Sequence, residues 1–353
     1  MFDPKKKRYQ TRKGTDFDSN IAATERRIVR IAEDLFDSWG YQPTRLPLLD
    51  YYDSYSEVLD HSAREQLYRL IDRDGDLLLL RSDSTLFLAR SVAPHIESPP
   101  EPIRLYYAEP ILRHQHSEDP LHNEFYQIGA ELMGRAGHRG EVEVAALLCA
   151  LAQYIGIGNS VLHLGTRALF DALVIDLDPA DRETAAAMIQ RREWDSLRKL
   201  AGPGTEVFFF IGNIQEFEAE RESIESRLPS DAAREAVLDL YAVAKTLINI
   251  DISIDLRIDF SEIGIQPYYT GCVLGLYLDG VPTAIAAGGR YDKLLEKFGQ
   301  PYPSVGFSLM LSKITAQIDE YRPPETVVVA EHDVTQAMKQ AAAIRARGGR
   351  ATI

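Results

Sequence analysis

Three stretches of the chain bring together residue types that can hold a small polar molecule. The longest is Arg104–Gly134, RLYYAEPILRHQHSEDPLHNEFYQIGAELMG. Leu105, Tyr107 and Ile111 supply apolar side chains on the way out, and Phe125, Ile128 and Ala130 on the way back, so two antiparallel strands are expected. Between them, His114–Glu124 is polar and carries a proline and three of the chain's eight histidines. A polar loop held over a sheet by apolar strands can present ligand-binding groups; on composition alone, an exposed hairpin is the simpler reading. The second stretch, Arg81-Ser82-Asp83-Ser84-Thr85, opens a helix expected through Ala93, and its Ser and Asp either cap that helix or face a ligand. The third is Tyr268-Tyr269, read as lying within an apolar strand of the run Ile263–Leu278, where a core pair with one buried hydroxyl competes with a binding role.

Several elements must position these residues. Ala22–Trp39 has helical periodicity, with Ile28, Ile31, Ala32, Leu35 and Phe36 on one stripe and Gly40 to end it. Tyr41–Asp50 is extended and interrupted by Pro43 and Pro47. Gln66–Ile71 and Leu77–Leu80 form a hairpin around Asp74-Gly75. A helix is expected over Arg139–Tyr154, a strand over Val161–Leu164 and a helix from Arg167. Ile175–Lys245 is charged, largely helical and free of chemical motifs, and is taken as an inserted helical subdomain. Strands follow at Ile250–Phe260 and Thr283–Arg290, where Gly288-Gly289 suits a close backbone approach before a helix over Tyr291–Phe298. Ser304–Ile314 closes the sheet and starts a helix. From Thr326, a strand, a helix over Thr335–Arg347 and a last short strand form a partial α/β segment, residues 321–353, which alone buries too little surface to be a domain.

Composition narrows the function class. A chain of 353 residues, 45% of them apolar, is expected to hold two domains or one large domain with an insertion. The net charge of −14 argues against general attraction to nucleic acid, which would need a local basic patch. Residues 1–13 carry a basic run that is either a flexible tail or a nucleic-acid arm, the tail being the simpler reading. Cys149 and Cys272 sit in apolar segments and are taken as buried thiols of a reducing cytosol. No Cys/His set has zinc spacing, no apolar run reaches the roughly 18 residues of a membrane span, and no signal peptide is visible. A soluble cytoplasmic protein is expected.

The blocks resemble the class II aminoacyl-tRNA synthetases in the form found in histidyl-tRNA synthetases. Arg104–Gly134 is similar to their motif 2, the helix–Gly–strand–Pro order of residues 22–50 to motif 1, which builds a dimer interface, and Ser304–Ile314 to motif 3. The resemblance implies an α+β fold over residues 14–320, an antiparallel sheet flanked by helices, with residues 175–245 as the helical insertion. It also implies a histidine site. Free histidine needs an anion for its ammonium, a donor for its carboxylate and a polar clamp for its ring. By the resemblance, Asp83, Thr85 and Gln127 take the ammonium, Arg113 the carboxylate, and Glu131 with Tyr268 or Tyr269 the imidazole. A carboxylate facing a ring nitrogen favours the protonated ring, so a pH-dependent affinity is expected.

Other positions depart from the synthetase pattern. Histidyl-tRNA synthetases have Arg-Gly-Leu-Asp before Tyr-Tyr, and the Arg supplies positive charge as ATP is attacked. Gly264, Ile265, Gln266 and Pro267 stand there in this chain. Gln115 replaces a motif 2 Glu, and Leu121 and Asn123 stand where Arg would be. The motif 3 sequence Gly-Leu-Glu-Arg is Met310-Leu311-Ser312-Lys313, in which Lys313 keeps a charge but not the bidentate fork. Removing one transition-state donor costs roughly 100- to 1,000-fold in rate. The histidine-reading groups are largely kept, with Asp83 one methylene shorter than the usual Glu, while the ATP-reading groups are mostly replaced. That division resembles the synthetase-like regulatory subunits of ATP phosphoribosyltransferase, the enzyme that opens histidine biosynthesis. It implies a catalytically silent dimer with no cofactor, metal or bound tRNA. Such a dimer binds the short catalytic subunit within a hetero-octamer, activates it and conveys feedback by L-histidine. A true histidyl-tRNA synthetase, which the missing Arg and the short C-terminal segment argue against, is the first alternative. A synthetase-like binding module of another complex is the second.

Overall fold

The computed structural model describes residues 19–353 apart from 60, 97–100, 115–122, 251, 300, 316, 319–324 and 331–332. The basic run of residues 1–13 and the tip of the polar loop, with Gln115, His116, Leu121 and His122, lie outside the described residues.

Helix α1 (Ser19–Ser38) turns Ile28, Ala32, Leu35 and Phe36 into the core, and Gly40, at φ +81°, ends it. Then come β1 (Gln42–Pro43), β2 (Leu49–Tyr51), α2 (His61–Gln66), β3 (Arg69–Ile71) and β4 (Leu77–Leu80). The order β2-β4-β3 makes a small antiparallel sheet. The hairpin turns at Gly75, φ +96°, as Asp-Gly predicts. Its first strand is shorter than expected, because the chain up to Gln66 coils as α2. Helix α3 (Ser84–Val92) leads to the long hairpin, β5 (Ile103–Leu112) and β6 (Glu124–Met133), paired from Ile103↔Met133 to Leu112↔Glu124.

Helix α4 (His138–Tyr154) and β7 (Val161–Thr166) come next, then α5 (Arg167–Leu173), α6 (Pro179–Gln190), α7 (Trp194–Ala201), β8 (Ile211–Gly212), α8 (Ile214–Arg227) and α9 (Asp231–Asn249). The chain returns to the sheet with β9 (Asp255–Asp259), β10 (Cys272–Tyr277), β11 (Ala286–Arg290), β12 (Ser304–Met310) and α10 (Leu311–Thr315). The main sheet has nine strands in the order β1-β5-β6-β12-β11-β10-β7-β9-β8.

This sheet is mixed rather than wholly antiparallel: β1 lies parallel to β5, and β7 parallel to β9. Parallel neighbours need a long crossover, and α5 to α9 supply the one from β7 to β9. The helical stretch expected over residues 175–245 therefore runs on to Asn249, and it contributes an edge strand, β8, to the main sheet. Its Ile189, Leu197, Phe217 and Leu240 share one apolar core with Leu162, Leu164 and Leu274 of the central strands. The helix expected over Tyr291–Phe298 shrinks to a 3-10 turn at Leu295–Phe298. The last segment, β13 (Thr326–Val328), α11 (Val334–Ala346) and β14 (Arg350–Thr352), closes on its own small core of Val329, Ala337, Ala341 and Ala351.

Charged pairs, one buried and one half-buried, fasten the sheet to its helices. Arg290 on β11 forks onto both oxygens of Glu141 on α4, and Arg104 on β5 does the same to Glu143, at 2.6 and 2.8 Å. Bidentate pairs of this kind fix orientation as well as distance.

Candidate functional site

Side chains alternate along a strand, so Phe125, Gln127, Gly129 and Glu131 share one face of β6. That face looks into a cavity of about 500 Å³, walled also by α3, β10, β12 and the loop before β10. Asp83, Thr85, Arg113, Gln127, Tyr268 and Tyr269 all line it. Six of the seven residues singled out from the sequence thus meet at one cavity, although they come from three separated stretches.

Glu131, the seventh, lies behind the wall and is fully buried. Thr85 Oγ1 donates to its Oε1 at 2.6 Å and Tyr107 OH at 3.2 Å, while Tyr291 OH donates to Oε2. Burial drives this carboxyl up to about 7, opposed by the hydroxyls that donate to it. Burial also raises the phenols of Tyr107, Tyr268, Tyr269 and Tyr291, which keeps them as donors. Thr85 and Tyr291 reach the cavity wall, so Glu131 addresses it through their hydroxyls.

Asp83 serves two partners at once. Its Oδ1 caps α3 by accepting from Leu86 N–H at 2.8 Å, and its Oδ2 accepts from Tyr268 OH at 3.1 Å. The capping and binding readings of this aspartate are therefore compatible in one side chain. Gln127 is 3% exposed; its Nε2 donates to Ser308 Oγ at 3.4 Å, whereas its Oε1 has no hydrogen-bond partner among the described residues. A buried acceptor left unpaired costs about 1–3 kcal/mol, and this one belongs to a cavity-lining residue. An acceptor, a carboxylate and a threonine hydroxyl lining one cavity suit a cationic amine.

Arg113 donates to Ser82 O through Nε at 3.3 Å and Nη2 at 2.8 Å. Lys313, from the first turn of α10, lines the same cavity and donates to Ala284 O at 2.7 Å. The loop Gly264–Gln266 forms part of the wall without contributing a cation. Tyr268 and Tyr269 lie in that loop rather than in a strand, because β10 begins only at Cys272; the glycine at 264, φ +76°, places its Cα against the Tyr269 ring.

Some supporting residues were not marked by the sequence reading. Tyr107 counted only as an apolar strand residue, but its register partner is Gly129, and a Cβ there would come within 2.4 Å of the Tyr107 ring. The Tyr/Gly pairing becomes a signal once the hairpin register is known. Arg81, 1% exposed, donates to Leu46 O, Pro47 O, Pro110 O and Glu109, tying the loop between β1 and β2 to β5 just before α3. Nothing in its local sequence separates this from a surface arginine. Among the described residues, no cluster of three His, Cys, Asp or Glu could hold a metal ion, and no helix is long and apolar enough to cross a membrane.

Known proteins share this architecture. The ATP phosphoribosyltransferase regulatory subunit of Bacillus subtilis is 28% identical over 341 residues, covering 94% of this chain and 87% of that protein. The one from Geobacillus thermodenitrificans is 27% identical over 345 residues, covering 93% and 86%. Among solved structures, an ATP phosphoribosyltransferase regulatory subunit/histidyl-tRNA synthetase from Bacillus halodurans superimposes with a TM-score of 0.84 at 22% identity, over 98% of this chain and 92% of that one. A histidyl-tRNA synthetase from Nostoc gives 0.80 at 17% identity, over 98% and 85%. The family model described as histidyl-tRNA synthetase matches residues 15–314, every strand of the main sheet and every wall of the cavity among them. The chain belongs to the histidyl-tRNA synthetase family.

Proposed function

We propose that this protein is the non-catalytic regulatory subunit of ATP phosphoribosyltransferase. In this reading it binds and activates the short catalytic subunit and conveys feedback by L-histidine at the first step of histidine biosynthesis. One observation carries the reading: the cavity keeps the groups that suit an amino acid, while the loop at Gly264–Pro267 offers no cation where a synthetase has one. The names of the relatives support it. Histidine sits with its ammonium at Asp83, Thr85 and Gln127, its carboxylate toward Arg113 and its ring toward Tyr268, Tyr269 and the Glu131 network. The assembly is a dimer within a hetero-octamer in the cytoplasm and needs no tRNA. Histidine must bind one assembly state better than another, since only differential affinity shifts an equilibrium.

The test is steady-state phosphoribosyl transfer from phosphoribosyl pyrophosphate to ATP by a short catalytic subunit, with and without this protein, across a histidine titration. Activation that histidine reverses is expected. No effect, together with histidine-dependent pyrophosphate exchange by the chain alone, would return the synthetase reading. Silence in both assays would leave a binding module of another complex.

A further inference from the structure

Lys313 and Arg113 line one cavity and feel each other's charge, an arrangement that calls for an anion. Each is anchored by a backbone carbonyl, Ala284 O for the lysine and Ser82 O for the arginine. Neither has a carboxylate partner in any ion pair formed among the described residues. Both are half-buried, and like charges at close quarters in a partly dry site repel. Burial lowers the Lys313 ammonium, and the neighbouring Arg113 lowers it further. The carbonyl bond uses one of three ammonium protons, and Ser82 O engages the Nε and Nη2 edge of the guanidinium, so both groups retain donors. Across the same cavity, the unpartnered Gln127 Oε1 and the Asp83 carboxylate ask for a cation.

We infer that Lys313 and Arg113 jointly clamp the free α-carboxylate of an amino acid whose ammonium lies at Asp83 and Gln127. The cavity then selects for a zwitterion, and Lys313 is a specificity-determining residue for it. The bound carboxylate relieves the repulsion between the two cations, and the bound ammonium satisfies the glutamine oxygen. An amino alcohol, ester or amide with the same side chain leaves the cation pair unneutralised. This assignment rests on the histidine reading given above. It adds that the lysine standing in motif 3 serves the amino acid itself.

The experiment is binding calorimetry on the full chain with L-histidine and with L-histidinol, which replaces the carboxylate by a hydroxymethyl group. The unaltered chain, Lys313→Met and Lys313→Arg are compared. Histidinol is expected to bind the unaltered chain roughly 10- to 100-fold more weakly than histidine, the usual scale for losing a charge-assisted hydrogen bond. Lys313→Met is expected to lose a similar factor for histidine but little for histidinol, so the discrimination collapses; Lys313→Arg restores most of it. Two results overturn the inference while leaving the histidine site intact: histidinol binding the unaltered chain as tightly as histidine, or Lys313→Met retaining full affinity for histidine and full discrimination. An unaltered chain that binds no histidine overturns the histidine reading itself. The histidinol comparison uses unaltered protein and stands even where Lys313→Met fails to fold.

Discussion

Replacing Glu131 by glutamine should change the pH dependence of stability in a calculable way. The carboxyl is moved from an ordinary 4.5 up to about 7 in the folded protein, with burial as the cause. A folded-state pKa above the unfolded one means that the native protein holds its proton longer. The contribution to stability is therefore intact below about pH 4.5, declines as pH rises toward 7, and levels off above it. The full swing is about 3 kcal/mol, most of which falls between about pH 5 and about pH 8. Glu131→Gln has no proton to lose over this range. Its amide can still be satisfied, because the hydroxyls of Thr85, Tyr107 and Tyr291 accept as well as donate. Denaturant unfolding of both proteins across this range gives the stability difference at each pH. That difference should move in favour of the variant by about 2–3 kcal/mol from the acid to the alkaline end. A difference that stays constant within about 0.5 kcal/mol would refute the reasoning, since Glu131 would then titrate alike in folded and unfolded chains.

Three further outcomes are expected. Asp83→Asn keeps a good helix cap but removes the negative charge, so stability should hold within about 0.5 kcal/mol while histidine affinity falls roughly 10- to 100-fold, as read by thermal melting and calorimetry on one preparation. Arg81→Met breaks bonds to three backbone carbonyls and strands Glu109, so chemical denaturation should reveal a loss of about 3–5 kcal/mol; a loss below about 1 kcal/mol would deny it a tying role. Gly306→Ala would bring a methyl within 1.5 Å of Glu131 Oε2 and should cost about 1–3 kcal/mol together with histidine binding, whereas Gly158→Ala, whose nearest neighbour is Gln153 at 3.8 Å, should leave both unchanged.

Much of the site could be seen in the sequence because its residues sit in strongly patterned blocks. The apolar alternation on either side of the polar loop predicted β5 and β6, and period-two spacing then places Gln127 and Glu131 on one face. Asp83 and Thr85 were visible as the opening of a helix, which is what they form. What stayed hidden depends on tertiary registry. Tyr291 was expected to start a helix; it instead turns inward to Glu131, because the chain leaves β11 in an irregular turn. Tyr268 and Tyr269 looked like strand residues, since an apolar run has the same composition in a buried loop as in a strand. The parallel pairing of β7 with β9 could not be read locally either, because the partners are separated by five helices and nothing in either strand names the other.

That crossover also limits how the molecule can move. The segment from α5 to α9 reaches the cavity through Ile189, Gln190 and Arg192, at the end of α6 and the turn after it. It is sewn to the sheet by β8 at one place and by the shared core at others. A body held at several points has no free hinge, and swinging it as a jaw would break strand pairing and expose core. A ligand in the cavity would therefore meet Gln190 and Arg192 on a segment that cannot swing, so its effect there would be a short stroke of side chains rather than domain closure. Any message carried outward from the ligand is written in the packing of α6 against its neighbours.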